Sequence, residues 1–242
     1  MALILNIETS TTVCSVSVSN KGELISFKEI NNGYTHAENL HVFMEEVLKE
    51  ASLTLSQLNA IAISKGPGSY TGLRIGVSAA KGLAFSLNIP LIAIDTLEIM
   101  TNAALSAEHG QAFYCPLIDA RRMEVYTAIY DNNLVQLKNT EALIVDEESV
   151  KQFSEYNKIY FFGDGMEKCR SLLSSLKNSE FILDILPSAK AMCGLSYKKY
   201  SEKVFEDVAY FEPFYLKDFL ILTKKIDKNY SLDVIPTKEE PI

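Results

Sequence analysis

A two-lobed α/β fold, with mixed sheets flanked by helices, is what this sequence predicts, and three observations predict it. Short, almost wholly apolar runs such as Ala60-Ile61-Ala62-Ile63 and Leu91-Ile92-Ala93-Ile94 have the pattern of strands covered on both faces. Longer stretches of helical periodicity alternate with them, as in an α/β chain. The order strand, acid, turn, strand, turn, strand occurs twice, first with Glu8 and again with Asp119, so the two halves read as built alike.

At 242 residues, 48% apolar and 22% charged, the chain is long enough for one large domain or two lobes with ample core. Its formal net charge of -8 leaves no overall basic footprint for nucleic acid, so any RNA is met through a partner. Cys14, Cys115, Cys169 and Cys193 show no CxxC spacing, which predicts buried reduced thiols rather than a metal or redox cluster. The start lacks a basic region ahead of an apolar one, and no stretch reaches membrane-spanning length. A cytoplasmic protein without membrane contact is expected.

In chain order, Leu3 to Ile7 reads as a buried strand, and Glu8-Thr9-Ser10-Thr11-Thr12 as a hairpin tip of one acid and four hydroxyls. Val13 to Ser19 alternates like a half-exposed strand, and Glu23 to Glu29 is a third. Thr35 with Glu38 three residues on predicts a capping box. The helix it opens carries Leu40, Phe43, Met44, Val47, Leu48 and Ala51 on a single apolar stripe,.

Ser64-Lys65-Gly66-Pro67-Gly68-Ser69-Tyr70-Thr71-Gly72-Leu73-Arg74-Ile75-Gly76 follows, where a strand stops, a glycine turn intervenes and a helix begins. Such a junction directs free N–H groups to one point, a candidate anion site; a tight turn without ligand is the alternative, and both stay open. Neither standard phosphate motif fits. Leu73 follows Gly72 where a Walker loop needs Lys, and the spacing of Gly66, Gly68 and Gly72 is one residue too long for a dinucleotide fingerprint.

The helix after the turn, ended by Asn88 and Pro90, carries Gly72, Gly76 and Gly82, each costing about 1 kcal/mol against Ala. Something must approach that backbone closely. Arg74, Ser78 and Lys81 form one narrow polar stripe, while Leu73, Ile75, Val77, Ala79, Ala80, Leu83, Ala84 and Phe85 surround the cylinder. The helix is therefore covered on two sides, by its own sheet and another helix, or is wholly internal.

Leu97 to about Ser106 is a helix opened by Asp95 or Thr96, and Glu108-His109-Gly110-Gln111 reads as the lobe boundary. The second half runs through strands at Phe113–Ile118, Glu124–Tyr130 and Leu134–Lys138, a helix near 147–153, the strand Ile159–Phe162, the turn Gly163-Asp164-Gly165, and helices at 166–176 and 189–200. The expected division is a first lobe over 1–107, a smaller second lobe over 108–217 and a mobile tail over 218–242.

Two lobes that each open with a meander and an acid at the first hairpin resemble the actin and sugar-kinase superfamily, in which a nucleotide sits between the lobes. Here the second hairpin carries Arg121 and Arg122 instead of glycines. The string from Ser64 to Gly76, with ILNIETS at 4–10, HAENL at 36–40, DARRMEVY at 119–126 and EPFYLKD at 212–218, resembles the TsaB family, also called YeaZ, along nearly the whole chain. The resemblance implies a non-catalytic subunit of the machinery that installs threonylcarbamoyl on adenosine next to the anticodon of tRNA. It implies pairing with the catalytic paralogue TsaD, with the ATPase TsaE as third component, a homodimer when alone, and tRNA met only indirectly. The implied interface is the helix His36–Ala51 and the helix Thr71–Leu87, with Leu40, Phe43, Met44 and Val47 from the first and Gly72, Arg74, Ile75, Gly76, Ala79 and Leu83 from the second. Glu8, Thr9, Ser10, Gly66, Gly68, Asp119 and Arg121 make up the candidate vestigial nucleotide or anion site. No cofactor is expected to bind tightly, with ATP or ADP at the partner junction. Glu8 stands where Asp is usual in the family, Tyr70 where Phe is common and Lys217 where Arg is common.

The alternative is an enzyme acting on its own, an ATP-dependent transferase or a glycoprotease-like metallohydrolase. A zinc pair on a helix needs His at i and i+4, whereas His36 and His41 are five apart and point about 140° from one another. No metal site is expected. Ser10, Ser64 and Ser69 have no His near in sequence to act as base, and His36 is assigned a surface hydrogen bond. Asp119 with Arg121 and Arg122 reads as a lobe-closing ion pair or an anion site, the former preferred because structural pairs outnumber functional ones.

Overall fold

Alternation along each strand decides the layers. In β1 (Leu3–Glu8), Leu3, Leu5 and Ile7 enter one core and Ile4 another. Likewise Ile61 and Ile63 of β4 (Ala60–Gly66) face opposite to Ala60 and Ala62. With β2 (Val13–Asn20), β3 (Glu23–Asn31) and β5 (Leu91–Asp95) they form a sheet in the order β3-β2-β1-β4-β5. β1 runs antiparallel to β2 and parallel to β4. The computed structural model describes residues 2–33, 35–105 and 112–217; the boundary expected at 108–111 and the tail at 218–242 lie outside them.

Helices α1 (His36–Glu50) and α2 (Tyr70–Leu87) cover one face of this sheet. The other face is covered by α3 (Thr96–Leu105) and, from the far end of the chain, by α5 (Ala189–Ser201). The second sheet joins β6 (Phe113–Asp119), β7 (Glu124–Tyr130), β8 (Gln136–Ile144), β9 (Ile159–Phe162) and β10 (Ser179–Phe181) in the order β10-β9-β6-β7-β8. Read from its other edge this is the order of the first sheet, strand for strand, so the duplication seen in sequence is a duplication of topology. α4 (Met166–Leu173) follows β9 as α2 follows β4. α3 lies between the sheets, sending Leu97, Met100 and Ala104 against Tyr114, Ile118 and Phe162, and Ile99 toward the first sheet. The fold is the α/β architecture of two mixed sheets flanked by helices that the sequence predicts.

Several local expectations change. β2 is not half-exposed: Ser15, Ser17 and Ser19 are fully buried because α5 lies over them. Ala189 N donates to Ser15 Oγ at 2.9 Å, Ser17 Oγ donates to Ala189 O at 2.9 Å, and Asn6 Nδ2 reaches Ser17 Oγ at 3.2 Å. Alternating serines here satisfy a covering helix rather than water. Consequently α5, expected with the second lobe, packs on the first sheet. The capping box at Thr35 is absent, since Thr35 has φ -96° and ψ 21° rather than the extended backbone a box requires,. The third strand of the second meander lies at Gln136–Ile144 rather than Leu134–Lys138, and the helix expected near 147–153 is a 3₁₀ turn over Ser149–Glu155. No helix among the described residues is long and apolar enough to cross a membrane.

Candidate functional site

The glycine loop is filled by the protein's own backbone. A Cβ at Gly68 would lie 2.2 Å from Ser10 O, and one at Gly66, whose φ is +112°, would lie 2.7 Å from Phe214 O. On α2, a Cβ at Gly72 would lie 2.1 Å from Thr9 O and one at Gly76 2.1 Å from Thr9 Oγ1. The close approach inferred from these glycines is therefore made by the β1–β2 hairpin tip, which Thr9 Oγ1 fixes by donating to Gly72 O at 2.8 Å. Three of the N–H groups at the junction are engaged within the chain. Ser69 N donates to Ser10 O at 2.6 Å, Gly72 N to Ser69 Oγ at 3.3 Å and Leu73 N to Ser69 O at 2.9 Å. The carbonyl oxygens of Ser10 and Phe214, which repel an anion, occupy the space beside Gly68 and Gly66.

Glu8 is fully buried at the end of β1, and Ser10 N donates to its Oε1 at 2.5 Å. Burial pushes the carboxyl up to about 7, partly offset by the backbone N–H of Ser10 that donates to it,. Its Oε2 has no hydrogen-bond partner among the described residues. The carboxyl is closed over by its own hairpin, which leaves it no open face toward a nucleotide's metal ion. Thr9 and Ser10 are equally buried.

The second hairpin repeats the arrangement. Gly163, with φ +106°, comes so close that a Cβ would lie 2.3 Å from Leu117 O, and Gly165 N donates to that oxygen at 2.9 Å. Asp119 is exposed, accepts from Arg121 N at 2.7 Å and pairs with Lys168 of α4. Its cation is thus Lys168 and not Arg121 or Arg122, which sit in left-handed turn conformations at φ 71° and 48° and are exposed. The signal for this pairing was the glycine turn at 163–165, which follows a strand and opens a helix as Gly66 and Gly68 do.

The residues assigned to an interface separate into two groups. Leu40, Met44 and Val47 belong to the chain's own core, because α1 turns its stripe onto β2 and β3. With Gly72 and Gly76 they face inward, and of the five only Met44 also reaches the wall of an open groove. Phe43, Ile75, Ala79 and Leu83 are partly exposed and Arg74 is exposed. Arg74 lies over the Tyr70 ring at 4.7 Å, and Tyr215 stacks on Tyr70 with centroids 5.0 Å apart. Sequence reasoning missed the outermost positions. Phe85 is 81% exposed, Val42 and Leu55 are exposed, and a Cβ at Gly82 would meet nothing within 4 Å. Between α1 and α2 lies a groove of about 590 Å³ whose walls include Met44, Leu48, Leu55 and Leu83. His36, expected at the surface, is buried with Nε2 2.8 Å from Thr11 O, and burial lowers its pKa. Among the described residues no group of three or more His, Cys, Asp or Glu could hold a metal ion.

With this geometry in hand, comparison with known proteins is direct. The TsaB tRNA threonylcarbamoyladenosine biosynthesis protein of Escherichia coli K12 is 31% identical over 225 residues, covering 89% of this chain and 94% of that protein. The chain belongs to the TsaB family. The Bacillus subtilis TsaB is 35% identical over 127 residues, covering 52% of this chain and 54% of that one. Among solved structures, YeaZ from Pseudomonas aeruginosa matches with a TM-score of 0.73 and 25% identity, covering 89% of this chain and all of that one. A Pseudomonas aeruginosa protein described as similar to peptidase YEAZ matches with a TM-score of 0.76 at 25% identity, over 90% of this chain and all of that one. The family profile described as "TsaD: tRNA N6-adenosine threonylcarbamoyltransferase" matches residues 32–230, so the TsaB chain also carries the pattern of the transferase with which its family shares a pathway name.

Proposed function

We propose that this TsaB-family chain takes part in tRNA threonylcarbamoyladenosine biosynthesis in the cytoplasm as a non-catalytic subunit that binds and steadies a TsaD-like catalytic paralogue. A TsaE-like ATPase is the third component, the chain pairs with itself when alone, and tRNA is met through the partner. The observation that carries this reading is the division of α2. Its glycine side is closed by Thr9 and Ser10, while its outer ridge, Arg74, Ser78, Gly82 and Phe85, is exposed. A bulky aromatic left 81% exposed on a helix is the composition of a protein-binding face, and the apolar groove walled by Leu83 opens on another side of the same helix. The filled loop and the buried Glu8 argue against the alternative of an ATP-dependent transferase or metallohydrolase acting alone. Any ATP or ADP is met at the junction with the partner, not held tightly by this chain.

The test is co-purification of the full chain with the TsaD-like paralogue from the same organism, followed by light scattering on a sizing column. Phe85→Asp and Gly82→Arg are expected to abolish the complex while leaving thermal unfolding of the isolated chain unchanged. A complex that persists in both variants overturns the assigned face. Hydrolysis of ATP or modification of tRNA by the chain alone overturns the non-catalytic role.

A further inference from the structure

At the end of the first sheet opposite the glycine loop, where β1 and β5 begin, Ala2 and Pro90 form the floor of a groove of about 450 Å³. That volume lies within the range of small-molecule sites. Its walls are aromatic and cationic: Tyr197 and Tyr200 of α5, Phe205 beyond it, Lys21 of the β2–β3 turn and Lys203 of the turn after α5.

These walls are built rather than loose. Tyr197 packs on the β2–β3 turn, where a Cβ at Gly22 would be 3.4 Å from its Cβ and Cδ1. The Tyr200 and Phe205 rings lie 6.0 Å apart at 54°. Lys21 and Lys203 both take left-handed conformations, φ 52° and 56°, and are anchored by backbone bonds at 3.1 Å to Ala2 O and Tyr200 O.

The charge pattern is the second, independent observation. The chain carries a net -8; five of its fifteen described lysines, Lys28, Lys138, Lys151, Lys168 and Lys217, are held by carboxylates, and the other ten, with Lys21 and Lys203 among them, are not. Neither Lys21 nor Lys203 has an ion pair among the described residues. No carboxylate lines the groove, although Glu202 and Glu206 flank Lys203 in sequence. The hydroxyls of Tyr197 and Tyr200 likewise make no hydrogen bond among the described residues. A ring surface beside two unpaired ammonium groups and two unused phenol donors matches a ligand that is planar at one end and anionic at the other. Stacking and phosphate contact of this kind is how proteins hold unpaired nucleotides.

We propose that this groove binds a phosphorylated nucleoside, with the base against Tyr200 and Phe205 and the phosphate between Lys21 and Lys203. The inference goes beyond the partner-subunit reading and does not depend on it, since no residue of α1 or α2 lines the groove. The chemistry is shared by a free mononucleotide and by an unpaired nucleotide of RNA. Titration of the full chain by calorimetry and saturation-transfer NMR with AMP, adenosine, ribose 5-phosphate and a single-stranded tetraadenylate separates the terms. AMP is expected to bind, and adenosine or ribose 5-phosphate, each with half of the chemistry, at least about fivefold more weakly. Tetraadenylate binding tighter than AMP identifies RNA as the source; equal or weaker binding identifies the free nucleotide. The double variant Lys21→Glu, Lys203→Glu is expected to weaken AMP by about tenfold or more and to remove its salt dependence, with unfolding unchanged. Lys49→Glu, outside the groove, leaves binding intact. Absence of AMP binding at about 10 mM, or binding unaltered in the double lysine variant, overturns the proposal.

Discussion

One methyl group added at Gly76 and the same group added at Gly82 should move stability in opposite directions. At Gly82 the new Cβ has no heavy atom within 4 Å, so Ala removes only the glycine penalty and stabilises the helix by about 1 kcal/mol. For a chain of this size that raises Tm by about 2–4 °C. At Gly76 the Cβ would sit 2.1 Å from Thr9 Oγ1 and 3.0 Å from Ile63 Cδ1. Neither neighbour can yield cheaply, because Thr9 Oγ1 is bonded to Gly72 O at 2.8 Å and Ile63 is fully buried. Overpacking of this kind costs about 1–3 kcal/mol and displacing the hydroxyl about 1 kcal/mol more. Less the propensity gain, Gly76→Ala loses about 1–3 kcal/mol, and the two variants differ by about 2–4 kcal/mol. Paired urea and thermal unfolding at neutral pH measures the difference. If Gly76→Ala matched Gly82→Ala, the hairpin would not be seated on α2, and the inward assignment of its glycines would be wrong.

Two further predictions concern ionisation. Glu8 has a folded pKa of about 7 against an ordinary 4.5, so the folded state holds its proton longer than the unfolded chain does. Its contribution is complete below about pH 4.5 and is lost as pH rises through 7, a loss of about 3 kcal/mol. Glu8→Gln should therefore gain stability over the parent progressively from pH 5 to 8 in urea melts, and parallel curves would refute the burial argument. Burial pushes the thiol of Cys14 up to about 11 and that of Cys115 up to about 12, and all four cysteines are buried. A disulfide reagent at pH 8 should leave both thiols untouched in the folded chain and label all four in denaturant; rapid labelling of either in the folded chain would contradict the structure.

Much of the fold was legible because period-two and period-3.6 patterns are local. Leu3 to Ile7, Ala60 to Ile63 and Leu91 to Ile94 announced strands, and the glycine string announced a junction between strand and helix. The repeat of strand, acid and turn announced two sheets of one topology. What failed was the identity of the covering neighbour. The serines of β2 pointed to solvent by pattern, yet α5 arrives from residue 189 to bond them. The apolar stripe of α1 suits a partner helix by pattern, yet β2 and β3 take it. Gly72 and Gly76 leave room for any close neighbour, and Thr9 occupies that room.

The amino-acid sequence by itself determined which residues share a face, where the chain must turn, and that some backbone must approach α2 closely. Only the tertiary structure decided that the approaching backbone is the chain's own hairpin, and that Gly82 and Phe85 are left exposed. Side-chain period specifies a surface without specifying what lies against it. That choice is made by contacts between segments as far as 187 residues apart, such as Asn6 with Cys193, and no local pattern encodes them.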